Sequence, residues 1–143
     1  MIHRFLLVLI ALPIISCSNQ HYFESRYVKA QKLLSEGKPQ RALQALRSIM
    51  NVSQKGEDQA KVLFSISQIY FLQLKKPLKA TQYLEKILEL ELSPIWQVKV
   101  LEKIGEIHFE FTKDYRLAYH SYRRLFEFRP KLERIDFFQY RMG

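Results

Sequence analysis

Apolar side chains recur along this chain at intervals of three and four residues, with a longer beat of 38 laid over them. Ala42, Leu46 and Ile49 stand at i, i+4 and i+7, the spacing of one helix face. The same triplet returns as Ala80, Leu84 and Ile87, and again as Ala118, Tyr122 and Leu125, each copy one such beat after the last. Upstream of each triplet is a second apolar set. Leu63 with Leu101, Ile66 with Ile104 and Met142, and the small residues Ser67, Gly105 and Gly143 keep the same interval, while Ala30 serves the first copy one residue out of step. Two helices per copy follow from this pattern. A small residue on the first and an alanine on the second let the two backbones approach closely. The spacing predicts helices near 21–36 and 39–51, 58–74 and 77–91, 94–112 and 115–128, with a seventh beginning near 131. Ser93-Pro94 is a start signal, an N-cap followed by proline at the first helical position, and Asp114 is placed to cap the sixth helix. Asn51–Gly56 reads as a polar loop inside the array.

The first residues have a different pattern. Met1 is followed by His3 and Arg4, then by the apolar run Phe5–Ile15. Eleven residues are too few for a spanning helix, which takes about 20. The run ends in Ile14-Ile15-Ser16-Cys17, which resembles the lipobox of bacterial lipoproteins, with Ile14 in place of the commoner leucine. The alternative is a buried apolar helix with an incidental cysteine. The resemblance implies that residues 1–16 are a removed signal peptide. Residues 17–21 would then be an anchor carrying a diacylglycerol thioether and an amide-linked acyl chain on Cys17. Two or more chains hold a protein on a membrane stably where one does not. Ser18, where aspartate would signal inner-membrane retention, favours the periplasmic face of the outer membrane.

The repeated segments carry a resemblance of their own. The run KAQKLLSEGKPQRALQAL is similar to a tetratricopeptide repeat, with Ala30 in the small slot, Leu33 in the aromatic slot, Gly37 at the turn and Ala42 opening the second-helix face. The third copy matches further, at Leu101, Ile104, Gly105, Tyr115, Ala118, Tyr122, Leu125 and Pro130, with His108 where the family prefers tyrosine. The middle copy has Ser67 and Tyr70 in place. The second and third copies carry one extra residue late in the first helix and about three more between hairpins, which lengthens the family's repeat of about 34 to 38. The resemblance spans residues 22–143 and implies an all-α chain of tandem helix–turn–helix repeats, three hairpins and the start of a fourth, coiled into a short right-handed α-solenoid. An unrelated helical bundle is the alternative. The last segment, RIDFFQYRMG, is too apolar for a free end, so it either packs as a short cap or belongs to a longer repeat protein.

In such arrays the first helix of each hairpin lines a concave groove. Carried onto this sequence, the groove-facing places are Tyr27, Phe64, Phe71, Phe109 and Tyr140, beside Lys61, Gln68, Lys99, Glu102 and Glu106. Aromatic rings on a rigid concave surface suit the anchoring of a partner peptide. Packing between hairpins is the other use for each ring.

Composition sharpens this picture in a few places. Four glycines and five prolines in 143 residues lean towards helix. One cysteine excludes an internal disulfide and a thiolate metal site. No glycine-rich phosphate loop, G-x-S-x-G turn or H-E-x-x-H pair exists, so no enzyme and no cofactor is expected. Glu102 and Glu106 read as a solvated helix face, and His108 as a packing residue. The formal charge of +9 favours acidic partners. Lys75, Lys76 and Lys79 cluster at one turn, and Arg123, Arg124, Arg129, Lys131 and Arg134 form a basic patch near the last hairpin. The export signal argues against nucleic acid as the partner.

The expectation is therefore a lipid-anchored envelope scaffold that holds proteins or peptides in its groove. It resembles bacterial tetratricopeptide lipoproteins, loosely that of the outer-membrane β-barrel assembly machinery. The alternatives are an accessory module that binds anionic lipid or cell-wall glycan through the basic C-terminal half, and the anchor region of a longer protein.

Overall fold

The structure, a computed structural model, describes residues 20–53, 56–126 and 140–142. The described chain is all-helical, with no strand among these residues. Helix α1 covers residues 20–35, followed by α2 (Pro39–Met50), α3 (Gly56–Gln68), α4 (Pro77–Leu88), α5 (Pro94–Glu106) and α6 (Tyr115–Leu125). Residues 140–142 are again helical. Helices α3 and α4 pack together along their lengths, as do α5 and α6, and α2 and α4 pack in turn on α3 and α5. Helices α2 and α4 thus each sit between their own partner and the first helix of the next pair.

The apolar triplets face this seam. Ala42, Leu46 and Ile49 are fully buried, as are Ala80, Leu84 and Ile87, and Ala118, Tyr122 and Leu125. Opposite them lie Ala30, Ser67 and Gly105, all buried. The facing pairs trade volume: Ala30 and Ser67 accompany leucines, whereas Gly105 accompanies Tyr122. A Cβ on Gly105 would lie 2.7 Å from Tyr122 Cδ1 and closer still to Cε1. Here glycine is required for space, because the ring occupies the volume a side chain would fill.

The turns repeat with the same period. Gly37, Lys75 and Lys113 have φ of 69°, 53° and 57°, so each hairpin reverses through one left-handed residue. At the first turn this is the favoured glycine; at the other two a lysine accepts the strain. Helix α1 closes there in a Schellman arrangement, with Lys38 N–H donating to Leu33 O at 2.8 Å and Gly37 N–H to Leu34 O at 3.0 Å.

The other first helices end differently. Helix α3 runs on as a π-helical segment, Ile69–Gln73, and α5 as Ile107–Thr112. Closure at the second turn is one residue wider, with Lys76 N–H donating to Tyr70 O at 2.8 Å. A π turn holds one residue more than an α turn. This is the extra residue of the second and third copies, and its absence from α1 is why Ala30 falls one place out of step.

Proline stands at the first position of α2, α4 and α5, where its missing N–H costs nothing. Asp114 caps α6, accepting from Leu117 N–H at 3.0 Å. Ser93 occupies the N-cap of α5 but makes no side-chain cap bond, a departure from the sequence expectation. Its carbonyl instead accepts from Trp96 N–H at 3.0 Å. Helix α4 ends earlier than predicted, at Leu88 rather than near residue 91, where Leu90 N–H turns back to Ile87 O.

Candidate functional site

The first helices bring the sequence-named rings together in sequence order. Phe64 on α3 is half-buried and meets Trp96 of α5 edge-on, ring centroids 6.1 Å apart. Lys99 Nζ lies 4.3 Å from the Phe64 ring and 5.0 Å from Trp96. Further along, Phe71 meets Phe111 edge-on at 4.6 Å, and Lys103 Nζ stands 5.0 Å from the Phe71 ring. One repeat later Phe109 meets Tyr115 at 5.4 Å under the Arg141 guanidinium, 4.6 Å away. Phe71 and Phe109 are one repeat apart, and so are Lys103 and Arg141. The same cation-on-ring contact is therefore built twice across successive pairs. A cation over a ring face is held by the ring quadrupole, more strongly as water is excluded.

Tyr27 is tied down as well. Its hydroxyl is 2.8 Å from Ser65 Oγ, and its ring stacks on Phe23 at 5.9 Å. Phe71 is a correction to the sequence expectation: it is only 8% exposed, because the π segment turns it inward beneath Phe111. The neighbouring surface is supplied by Phe111 itself, 56% exposed. Gln68 is exposed between the Phe64 and Phe71 rings on α3, and Tyr140 is exposed on the last described segment. Glu106 accepts from Lys103 at 3.0 Å, Glu102 is half-buried, and Lys61 pairs with Asp58 at 3.4 Å.

Arg141 fastens the last segment to the third pair. It donates to the Tyr122 hydroxyl at 3.1 Å and pairs with Glu110. Burial pushes the Tyr122 phenol above its ordinary value, and the nearby Arg141 opposes that. Of the basic patch, Arg123 is exposed and Arg124 half-buried; Arg129, Lys131 and Arg134 lie outside the described residues. Cys17 and the leader, residues 1–16, lie outside them too.

His108 is buried, with Nδ1 3.0 Å from Thr112 Oγ1. Burial holds its pKa below the ordinary histidine value, against the pull of the Asp114 and Glu85 carboxylates. Among the described residues no group of three or more histidine, cysteine or carboxylate side chains is placed to hold a metal ion. None of their helices is long and apolar enough to cross a membrane.

No family model and no curated protein matches this chain. Rings fixed in place by cations and by one another, most of them half-buried, stand beside the exposed Gln68 and Phe111. Such a surface can hold an extended segment by apolar contact and hydrogen bonding, with little ordering cost to itself.

Sequence reasoning missed Trp96, Phe111, Tyr115 and Arg141. Two of these were within reach. Adding 38 to Lys103 gives Arg141, just as adding it to Phe71 gives Phe109. Trp96, the single tryptophan, stands one turn into α5 and faces Phe64. Phe111 depends on the π turn, which gave no signal beyond the repeat length, and Tyr115 was noted as a repeat position but not as part of the site.

Proposed function

We propose that this protein is a lipid-anchored adaptor of the bacterial envelope. In this reading its hairpins form a short right-handed tetratricopeptide-type solenoid, and its α1–α3–α5 face holds a segment of a partner protein. It is a holder rather than a catalyst, tethered through acyl chains on Cys17 at the periplasmic face of the outer membrane. The observation that carries the binding role is the cation-braced row of rings, with Lys99 over Phe64 and Trp96 and Lys103 over Phe71. The left-handed residue that recurs at each turn supports the solenoid, since similar turns on similar hairpins stack with a similar rotation. The lipobox-like Ile14–Cys17 supports the anchor.

Photo-cross-linking in native membranes tests the binding face. A cross-linker at Gln68, between the braced rings, is expected to give a discrete protein adduct, and one at Gln82 on α4 is not. Equal adducts from both positions, or none from Gln68, would overturn the groove. The anchor is tested separately by metabolic palmitate labelling, which Cys17→Ser should abolish.

A further inference from the structure

A second, chemically distinct site lies on the opposite helices, in the cleft between α2 and the start of α4. It has a volume of about 530 Å³ and is lined by Gln40, Gln44, Arg47, Tyr70, Lys76 and Lys79, with Leu43 and Leu74 at its edges. Three cations share this lining with two amides and a phenol, and no carboxylate. Arg47 is held in place rather than free to swing. It donates to the Tyr70 hydroxyl at 2.8 Å, and the Tyr83 phenol beside it favours the charged guanidinium. The two phenol rings stack at 5.3 Å and Tyr70 is itself buried, so the acceptor is fixed. Lys79 Nζ stands 5.0 Å from the Tyr70 ring, at the same edge. A guanidinium has five N–H donors, and one phenol leaves most of them for a ligand.

Among the described residues none of these three cations is in an ion pair with a carboxylate. The surrounding field has the same sign. Helix α2 contains no acidic residue, and the hollow on its other flank, which shares Gln44, is lined by Arg26, Lys29 and Arg41. Surface cations are usually interspersed with carboxylates, so three unneutralised ones converging on a cleft with a fixed guanidinium is an arrangement for an anion.

The repeat supplies an internal control. The places of Arg47, Tyr70, Lys76 and Lys79 one repeat later are Glu85, His108, Asp114 and Leu117. Backbone geometry alone would make both clefts alike, yet the second carries two carboxylates, both felt by His108. The positive cleft is thus a property of its side chains and not of the scaffold.

We infer that the Arg47–Lys76–Lys79 cleft binds a phosphate monoester, with Arg47 engaging two phosphate oxygens and the lysines neutralising the remaining charge. Planar guanidinium donors match phosphate in a bidentate manner, and Gln40 and Gln44 are in place to receive the alcohol portion of the ester. The phosphate can come from a lipid headgroup or from a soluble ester; the recognition is the same.

The test uses the full chain in phosphatidylcholine nanodiscs, titrated calorimetrically with glycerol 3-phosphate, and with acetate as a control for charge alone. One saturable site is expected for the ester and none for acetate. Loss of a charge-assisted, bidentate contact in Arg47→Gln should weaken binding about tenfold or more. Lys79→Gln, which leaves the Arg47–Tyr70 bond intact, should weaken it severalfold, and Arg123→Gln, two repeats after Arg47, should change nothing. A cross-linker at Gln44 then identifies the source: lipid labelling in discs containing phosphatidic acid but not in phosphatidylcholine discs indicates a headgroup, and equal labelling a soluble ester. The proposal is overturned if wild type shows no saturable ester binding. It is equally overturned if Arg47→Gln and Lys79→Gln, with unchanged thermal melts, bind as wild type does.

Discussion

The second and third helical pairs use one backbone for two different purposes. Both reverse through a left-handed lysine, both end their first helix in a π segment, and both bury an alanine at the start of the second-helix face. Their side chains then diverge. Around Tyr70 stand Arg47, Lys76 and Lys79; around His108 stand Glu85 and Asp114. The core pair diverges as well, Ser67 with Leu84 in one and Gly105 with Tyr122 in the other. Positions that recur keep the hairpins together, and positions that do not recur give each cleft its chemistry. A repeat protein can change what it binds at one step of the array without disturbing the packing of the next.

The largest test of this comparison lies in the core. Gly105→Ala places a methyl into the Tyr122 ring, whereas Ser67→Ala at the matching place should be nearly neutral. Overpacking of this kind costs about 1–3 kcal/mol, of which the gain in helix propensity offsets up to roughly 1 kcal/mol. Urea denaturation should show the loss, and Tyr122→Leu, which restores the pairing of the second hairpin, should recover much of it in a double-mutant cycle.

A smaller effect is expected at the N-caps. Asp114→Ala removes the bond to Leu117 N–H and should cost about 1 kcal/mol, while Lys76→Ala, at the same place one repeat earlier, breaks no cap bond and should cost little. Equal losses would mean that charge in the cleft, and not capping, decides the stability of this turn.

The two clefts should also respond differently to acid. His108 titrates below the ordinary histidine value in the folded chain because it is buried. Its neutral form is therefore favoured by folding. Stability from this residue is complete above pH about 6.5 and is lost as the pH falls from there through the depressed folded value, since the unfolded chain takes up the proton first. Denaturation midpoints between pH 8 and 5 should fall in wild type, and less in His108→Gln. An unchanged slope would place the titrating group elsewhere.

The smallest effect is at the turns. Lys75→Gly and Lys113→Gly relieve left-handed strain and should each raise stability by about 0.5 kcal/mol, the strain relief being offset in part by the greater freedom of unfolded glycine. At the first turn, which already has glycine, Gly37→Lys should do the reverse.

Much of the fold was legible because helical packing repeats a local rule. An alanine at i with bulky residues at i+4 and i+7 marks the buried face wherever it occurs, and three copies at one constant interval gave the helical pairs and their order. The extra residue of the later copies was also visible as a count, but its π form was not, since a sequence shows an insertion and not how the backbone absorbs it. The site was legible in part. Tyr27, Phe64 and Phe109 stay partly exposed but pack against neighbouring side chains, and Phe71 lies deeper.

Periodicity along the chain was enough to establish the helices, their pairing and the residues that face the seam, because each depends on neighbours within a turn or two. The encounters across pairs were decided only when the hairpins packed: Arg47 with Tyr70, Lys99 with Phe64, Arg141 with Phe109. These partners are far apart along the chain and belong to different helices, so no local pattern records them. Their meeting depends on the rotation of one hairpin against the next, set in turn by small residues and π turns. It is there, and not in the helical repeat itself, that a cleft acquires its charge.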